Sequence, residues 1–127
     1  MAGEFSTYLK NAILNAIANA TSFGLAGDPY VSLHTADPGV TGTSEVTGGS
    51  YARQQVAFGA ASAGAISNSA IVDFTGMPAA TVTYIGIWDA ASGGNFLWGG
   101  PLASSKTVNS GDTARFAAGD LDADLNP

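Results

Sequence analysis

The apolar positions of this chain change their period once. Over residues 5–20 they recur about every four, at Phe5, Leu9, Ile13 and Ile17, with Ala12, Ala16 and Ala20 beside them. That spacing predicts a single amphipathic helix. Ser6 or Thr7 is expected to cap it by accepting a backbone N–H bond. Gly24 and Gly27 end the helical run, and Pro29 opens the next segment. The stripe reads first as a face packed on the core, and second as a dock for a neighbouring subunit.

From Pro29 onward the period is two. Tyr30–Thr35 sets Val31 and Leu33 on one face and Ser32 and His34 on the other. Ala36-Asp37-Pro38-Gly39 is turn chemistry, and 39–50, rich in Gly, Thr and Ser, is expected to be an exposed loop. A strand over Tyr51–Phe58 puts Tyr51, Arg53 and Gln55 on one side and Ala52, Val56 and Phe58 on the other. Gly59–Gly64 turns the chain. Strands are expected over Ile66–Phe74 and over Val82–Trp88, whose apolar run 84–88 suggests a central strand covered on both faces. Ser92-Gly93-Gly94 predicts a hairpin between 82–88 and 95–98. Pro101 argues for a break there. Short strands then follow over 103–108, 113–117 and 121–125.

The expected fold is mainly β. It is a single domain, 1–127, in which an N-terminal helix at 5–20 precedes a β-sandwich or small barrel of seven to eight short strands at 29–125. A length of 127 residues suits one domain. Only 11% of residues are charged, against about a quarter in an ordinary domain. Such a surface suits either a Ser/Thr-rich monomer or a protein partly covered by neighbours, because Lys and Glu are depleted at interfaces.

Charge narrows the partners. The net charge is −6, and the four basic residues, Lys10, Arg53, Lys106 and Arg115, stand apart in sequence. No basic stripe is present to neutralise phosphates, so no nucleic-acid partner is expected. No apolar run is long enough to span a bilayer, so no membrane partner is expected. The start of the chain lacks a secretory signal pattern, so the mature chain is expected to begin at or next to Met1. With no cysteine, thiolate chemistry and disulfides are excluded.

The search for chemistry returns no catalytic, cofactor-binding or metal-binding residue, and neither enzymatic activity nor a cofactor is expected. His34 is the only histidine. A Ser–His–Asp site through it has no G-x-S-x-G elbow and no Ser-x-x-Lys motif to support it, and a structural or exposed histidine is the simpler reading. Most acids fall in predicted turns, where backbone capping explains them. Asp120, Asp122 and Asp124 would line one face of a final strand and offer oxygen ligands to a hard cation. A solvated face opposite Leu121 and Leu125 is the favoured reading. Asn19-Ala20-Thr21 matches a glycosylation acceptor by chance. Gly48-Gly49, Gly93-Gly94 and Gly99-Gly100 lack the Lys-Ser/Thr that follows a phosphate loop. Tyr84, Trp88, Phe96 and Trp98 read as sheet core before they read as a sugar platform.

Several segments together resemble a known family. They are Tyr30-Val31-Ser32-Leu33-His34-Thr35-Ala36-Asp37-Pro38, Glu45-Val46-Thr47-Gly48-Gly49-Ser50-Tyr51-Ala52-Arg53-Gln54, Gly86-Ile87-Trp88-Asp89-Ala90, and Lys106-Thr107-Val108-Asn109-Ser110-Gly111-Asp112. Over nearly its whole length the chain resembles small virion structural proteins of tailed bacteriophages, often labelled tail fibre protein. The resemblance implies a non-catalytic virion component. A short β domain without a fibre shaft suits a capsid decoration (cement) protein that bridges capsomers, located on the capsid surface rather than the tail. The major capsid protein or other virion proteins are the implied partners, and a homotrimer the implied assembly. The alternative is a tail-fibre or tail-associated module that binds host surface glycans.

Overall fold

The computed structural model describes residues 4–24 and 27–124, and these form one helix and nine strands. The strands are β1 (Glu4–Phe5), β2 (Tyr30–His34), β3 (Gln54–Gln55), β4 (Ala65–Ser67), β5 (Val72–Phe74), β6 (Ala80–Trp88), β7 (Phe96–Val108), β8 (Ala114–Phe116) and β9 (Asp122–Asp124). Helix α1 spans Thr7–Ala18. A five-stranded sheet has the order β1-β7-β6-β2-β3, and two ribbons pair β4 with β9 and β5 with β8. The sheets are open, so the barrel alternative does not hold. The mainly β class with one helix near the N-terminus does.

Helix α1 is shorter than its period implies. Phe5 lies in β1, paired with Trp98, so the chain enters the fold as a strand and turns into the helix at Ser6. Ser6 is the cap, its Oγ accepting from the Leu9 N–H at 3.1 Å, while its own N–H bonds Leu97 O at 2.8 Å. Asn19 closes the other end, and Ala20 takes a positive φ of 52° that ends the helical path.

Two expected strands break in instructive ways. Of Tyr51–Phe58 only β3 is strand, because Tyr51 and Arg53 are drawn into side-chain bonds described below. Ile66–Phe74 divides into β4 and β5 around Asn68, which is 3% exposed. Its amide donates to the carbonyls of Ala70 (2.8 Å) and Ala117 (3.1 Å). Its Oδ1 accepts from the N–H groups of Gly119 (3.0 Å) and Leu121 (2.9 Å). One buried amide thus ties the β8–β9 connection to the β4–β5 connection through four bonds to backbone groups, among them the N–H of buried Leu121.

The hairpin of β6 and β7 forms, but Pro101 does not end β7. It pairs with Tyr84, and Leu102-Ala103-Ser104-Ser105 bulge opposite the single residue Thr83. The bulge supplies the irregularity that a proline within a sheet requires. The expected strand at 103–108 is therefore the far half of β7. The expected strand at 121–125 is β9, and Leu125 lies outside the described residues.

The core lies between one face of the large sheet and the ribbons. Val31, Leu33, Ile85 and Ile87 project from the sheet onto Val72, Phe74, Met77, Phe116 and Leu121, and Leu9 of α1 joins the same cluster. Each such buried side chain contributes ~1.5–3 kcal/mol relative to exposure.

Candidate functional site

The other face of the sheet carries the polar members of the alternation. Register sets Ser32 beside Gly86, which pairs in turn with Gly99, His34 beside Tyr84, and Tyr30 beside Trp88. Both Ser32 and His34 have 0% exposure, because residues 36–46 fold back over them. Asp37 Oδ1 accepts from Gly39 N–H at 2.8 Å, and Pro38 O accepts from Gly42 N–H at 2.9 Å. Gly42, at φ +80°, lies so close to the Trp88 ring that a Cβ would collide with it. The chain then runs antiparallel beside β2, with Val46 N–H on Leu33 O at 2.9 Å.

A chain of hydrogen bonds crosses the covered face. Trp88 Nε1 donates to Ser32 Oγ at 2.9 Å. Ser32 Oγ lies 2.7 Å from His34 Nε2, and His34 Nδ1 lies 2.7 Å from Thr43 O. A carbonyl only accepts, so Nδ1 carries the proton, Nε2 accepts, and the Ser32 hydroxyl donates to it. Burial lowers the His34 pKa below its ordinary value, an effect partly opposed by the Thr43 carbonyl and the Glu45 charge. The neutral ring is the form this geometry holds. Gly86 makes room for the relay, since a Cβ there would lie 2.7 Å from Ser32 Oγ and 2.8 Å from His34 Nε2.

A second cluster pins the far end of the loop. Arg53 donates to Glu45 through Nε (3.0 Å) and NH2 (2.9 Å), and its NH1 reaches Ala90 O (3.2 Å) and Gly93 O (2.9 Å). Its guanidinium carbon also lies over Trp88, 3.7 Å from the ring centre. Tyr51 OH accepts from Leu33 N–H at 2.9 Å and donates to Glu45 Oε2 at 2.8 Å. The phenol thereby replaces a strand neighbour at the gap between Val46 and β3. Burial would raise the Glu45 carboxyl, but the Arg53 and Tyr51 bonds overcome it and hold the group below its ordinary range. Burial drives the Tyr51 phenol upward, well beyond its ordinary value.

The spacing of Ser32 and His34 is that of a nucleophile and its base, but the surroundings differ. The hydroxyl already accepts an indole N–H, and Thr43 and Phe96 close over the imidazole, the Phe96 ring centre 6.4 Å away. Chemically the arrangement is a clasp. It fixes the loop to the sheet through partners that are each satisfied.

The aromatic residues do not form one platform. Trp88 and Phe96 are 8% and 5% exposed under the loop, in edge contact at 5.2 Å. Trp98 stands on the opposite face, in register with Ile87. Asp120 caps a turn, accepting from Ala117 N–H at 2.9 Å, while Asp122 and Asp124 pair with Ser67 and Ala65 along β9. Among the described residues no group of three or more acids or histidines is placed to hold a metal, and no helix is long and apolar enough to cross a membrane.

The model of the family described as podophage GP4 fiber I protein gp80 matches residues 4–124. The chain belongs to this family. It is a structural protein of a phage virion, of the kind labelled tail fibre. No curated protein matches the chain. Two stretches within the segments that carry the resemblance, Ser32–Pro38 and Gly48–Gln54, supply much of the clasp. Their partners Glu45, Trp88 and Thr43 come from between and beyond them. No spacing rule announces this network, because its bonds join residues up to 56 positions apart.

Proposed function

We propose that this chain is a non-enzymatic docking module of the virion, whose work is to be bound in several copies on other virion proteins. The observation that carries the reading is the outward face of α1, where Leu14 and Ile17 stand 62% and 78% exposed. A regular helix that shows water two large aliphatic side chains gains by being covered. Each copy bound to an assembled particle stabilises it by mass action, without any chemistry. The Ser32–His34 pair serves the loop and turns nothing over. A fluorophosphonate probe is expected to leave Ser32 unlabelled, and labelling lost in His34→Ala would overturn this point.

Decoration of the capsid surface is the first seat. It is supported by the scarcity of charge, which suits a surface covered by neighbours. A seat on the tail, with contact to host surface glycans, is the second, favoured by the word fiber in the family description. A map of the purified particle, with the copy number from a protein gel, separates the two. Hundreds of copies over the head fit decoration, and a dozen or fewer at the tail fit a fibre. A deletion phage that loses DNA on heating yet adsorbs normally fits decoration; stable heads with failed adsorption move the protein to the tail. A particle without the chain overturns both.

A further inference from the structure

Between α1 and the β4–β9 ribbon runs a groove of about 280 Å3, apolar along its length, lined by Phe5, Leu9, Ile13, Ile66 and Trp98, with Asp124 at its edge. A quarter-turn around the same helix stands a ridge. Lys10, Leu14 and Ile17 are spaced i, i+4, i+7, and all three are exposed. The molecule thus carries an apolar hollow and an apolar ridge side by side, and its own fold does not bring them together.

We propose that the ridge of one copy seats in the groove of the next, with Lys10 of the first facing Asp124 of the second. The inference rests on the docking reading above and names a second copy of this chain as the occupant. Charge selects that occupant. The chain carries a net charge of −6, so copies repel over most of their surface. Lys10 is the one charged residue of α1, and among the described residues Asp124 is the one charged residue of the groove. On this face an approaching copy meets apolar surface matched to apolar surface and a cation matched to an anion, which sets register and orientation. A helix ridge is also the shape that fills a groove of this kind. Ridge and groove are different patches, so the contact is heterologous and makes a ring when its rotation closes.

The test uses the full chain in solution. Sedimentation of the wild type is expected to show a defined oligomer. The paired substitution Leu14→Gln with Ile17→Gln removes the ridge, and Ala65→Trp fills the groove. Each is expected to weaken self-association about tenfold or more, the equivalent of losing ~1.4 kcal/mol, with an unchanged circular dichroism spectrum. A carbodiimide, which joins only touching amines and carboxylates, is expected to couple Lys10 to Asp124. Mixing 14N- and 15N-labelled protein identifies the link as intermolecular. Lys10→Asp weakens association, and adding Asp124→Lys restores it. Wild-type association in the ridge and groove variants, or failure of the charge swap to restore it, overturns the proposal. A chain that is found in purified particles but sediments as a monomer at all concentrations overturns this inference and leaves the docking reading standing. A chain absent from particles removes the docking reading, whatever its association in solution.

Discussion

The loop over 36–46 and the helix α1 invert what their sequences suggest. The loop has no regular structure and is rich in Gly, Thr and Ser, yet its inner side is committed to the fold. Pro38 and Val46 are buried, Gly42 lies on Trp88, and Glu45 is held by Arg53 and Tyr51. The helix has a clear period, a Ser6 cap and four large aliphatic residues, yet of its residues only Leu9 is buried. Regularity reports how a segment satisfies its own backbone. Commitment depends on what lies across from it, which for the loop is a face of polar side chains with unmet hydrogen bonds. For the outer half of the helix it is water.

The strongest way to break this contrast is to remove the residue on which the loop rests. Trp88→Ala deletes the ring under Gly42 and Arg53, the edge contact with Phe96 and the N–H bond to Ser32. It is expected to cost ~3–5 kcal/mol in urea unfolding and to open 39–44 to proteolysis. An unchanged midpoint would mean that the loop holds without its platform. Tyr51→Phe is a finer probe, removing one oxygen that serves both Leu33 N–H and Glu45. Leaving that backbone donor without a partner is expected to cost ~1–3 kcal/mol, and a neutral result would mean that water takes the place of the phenol.

Acid should loosen the loop gradually. The folded-state pKa of His34 lies below its ordinary value of 6.5 because burial disfavours the cation. Above pH 6.5 the ring is neutral in both states, and stability is at its full level. As pH falls below 6.5 the unfolded chain takes up the proton first, so stability declines toward the folded pKa. The folded-state pKa of Glu45 lies below 4.5, because the bonds from Arg53 and Tyr51 outweigh its burial. Its contribution is present above 4.5 and is lost as pH falls through the folded value. The denaturation midpoint is therefore expected to be flat from pH 7 to 8, to decline below 6.5 and to fall further below 4.5. In His34→Gln the first decline should vanish and the second remain. A midpoint that rises on acidification would reverse the assignment of the neutral ring.

What was legible in the sequence was period and punctuation. The alternation in Val31–His34 assigned the faces of β2, and the apolar run 84–88 marked β6 as a central strand. The cap was narrowed to Ser6 or Thr7, and it is Ser6. The alternation set Tyr51 and Arg53 on one side without naming their partner Glu45, and the expected strand around them shrank to Gln54–Gln55. What stayed hidden depends on distant partners. Asn68 divides an alternating run because loops near Gly119 and Leu121 need its oxygen, and nothing local marks it. The bulge that lets β7 pass through Pro101 depends on pairing with Tyr84. A four-residue period counts apolar positions without telling which of them the fold covers, and so it could not separate Leu9 from Ile17.

The smallest expected effect sharpens that last distinction. At 78% exposure, Ile17 contributes little to the core, and Gln is an equally good helix former. Ile17→Gln should therefore change the unfolding free energy of the dilute chain by no more than ~0.5 kcal/mol, as for surface substitutions away from special features. Leu9→Gln on the buried side of the same helix should be far costlier, since it places an amide among Phe5, Ile13 and Trp98 without partners for all its hydrogen bonds. If the helix were simply an amphipathic element packed on its sheet, both substitutions would damage folding to similar degrees. A measured pair in which Ile17→Gln costs as much as Leu9→Gln would mean that the ridge is covered within the folded chain, and α1 would lose its claim to be the docking surface. A pair that differs by several-fold would leave a conspicuously apolar side chain with no part in folding, and assembly is what remains to account for it.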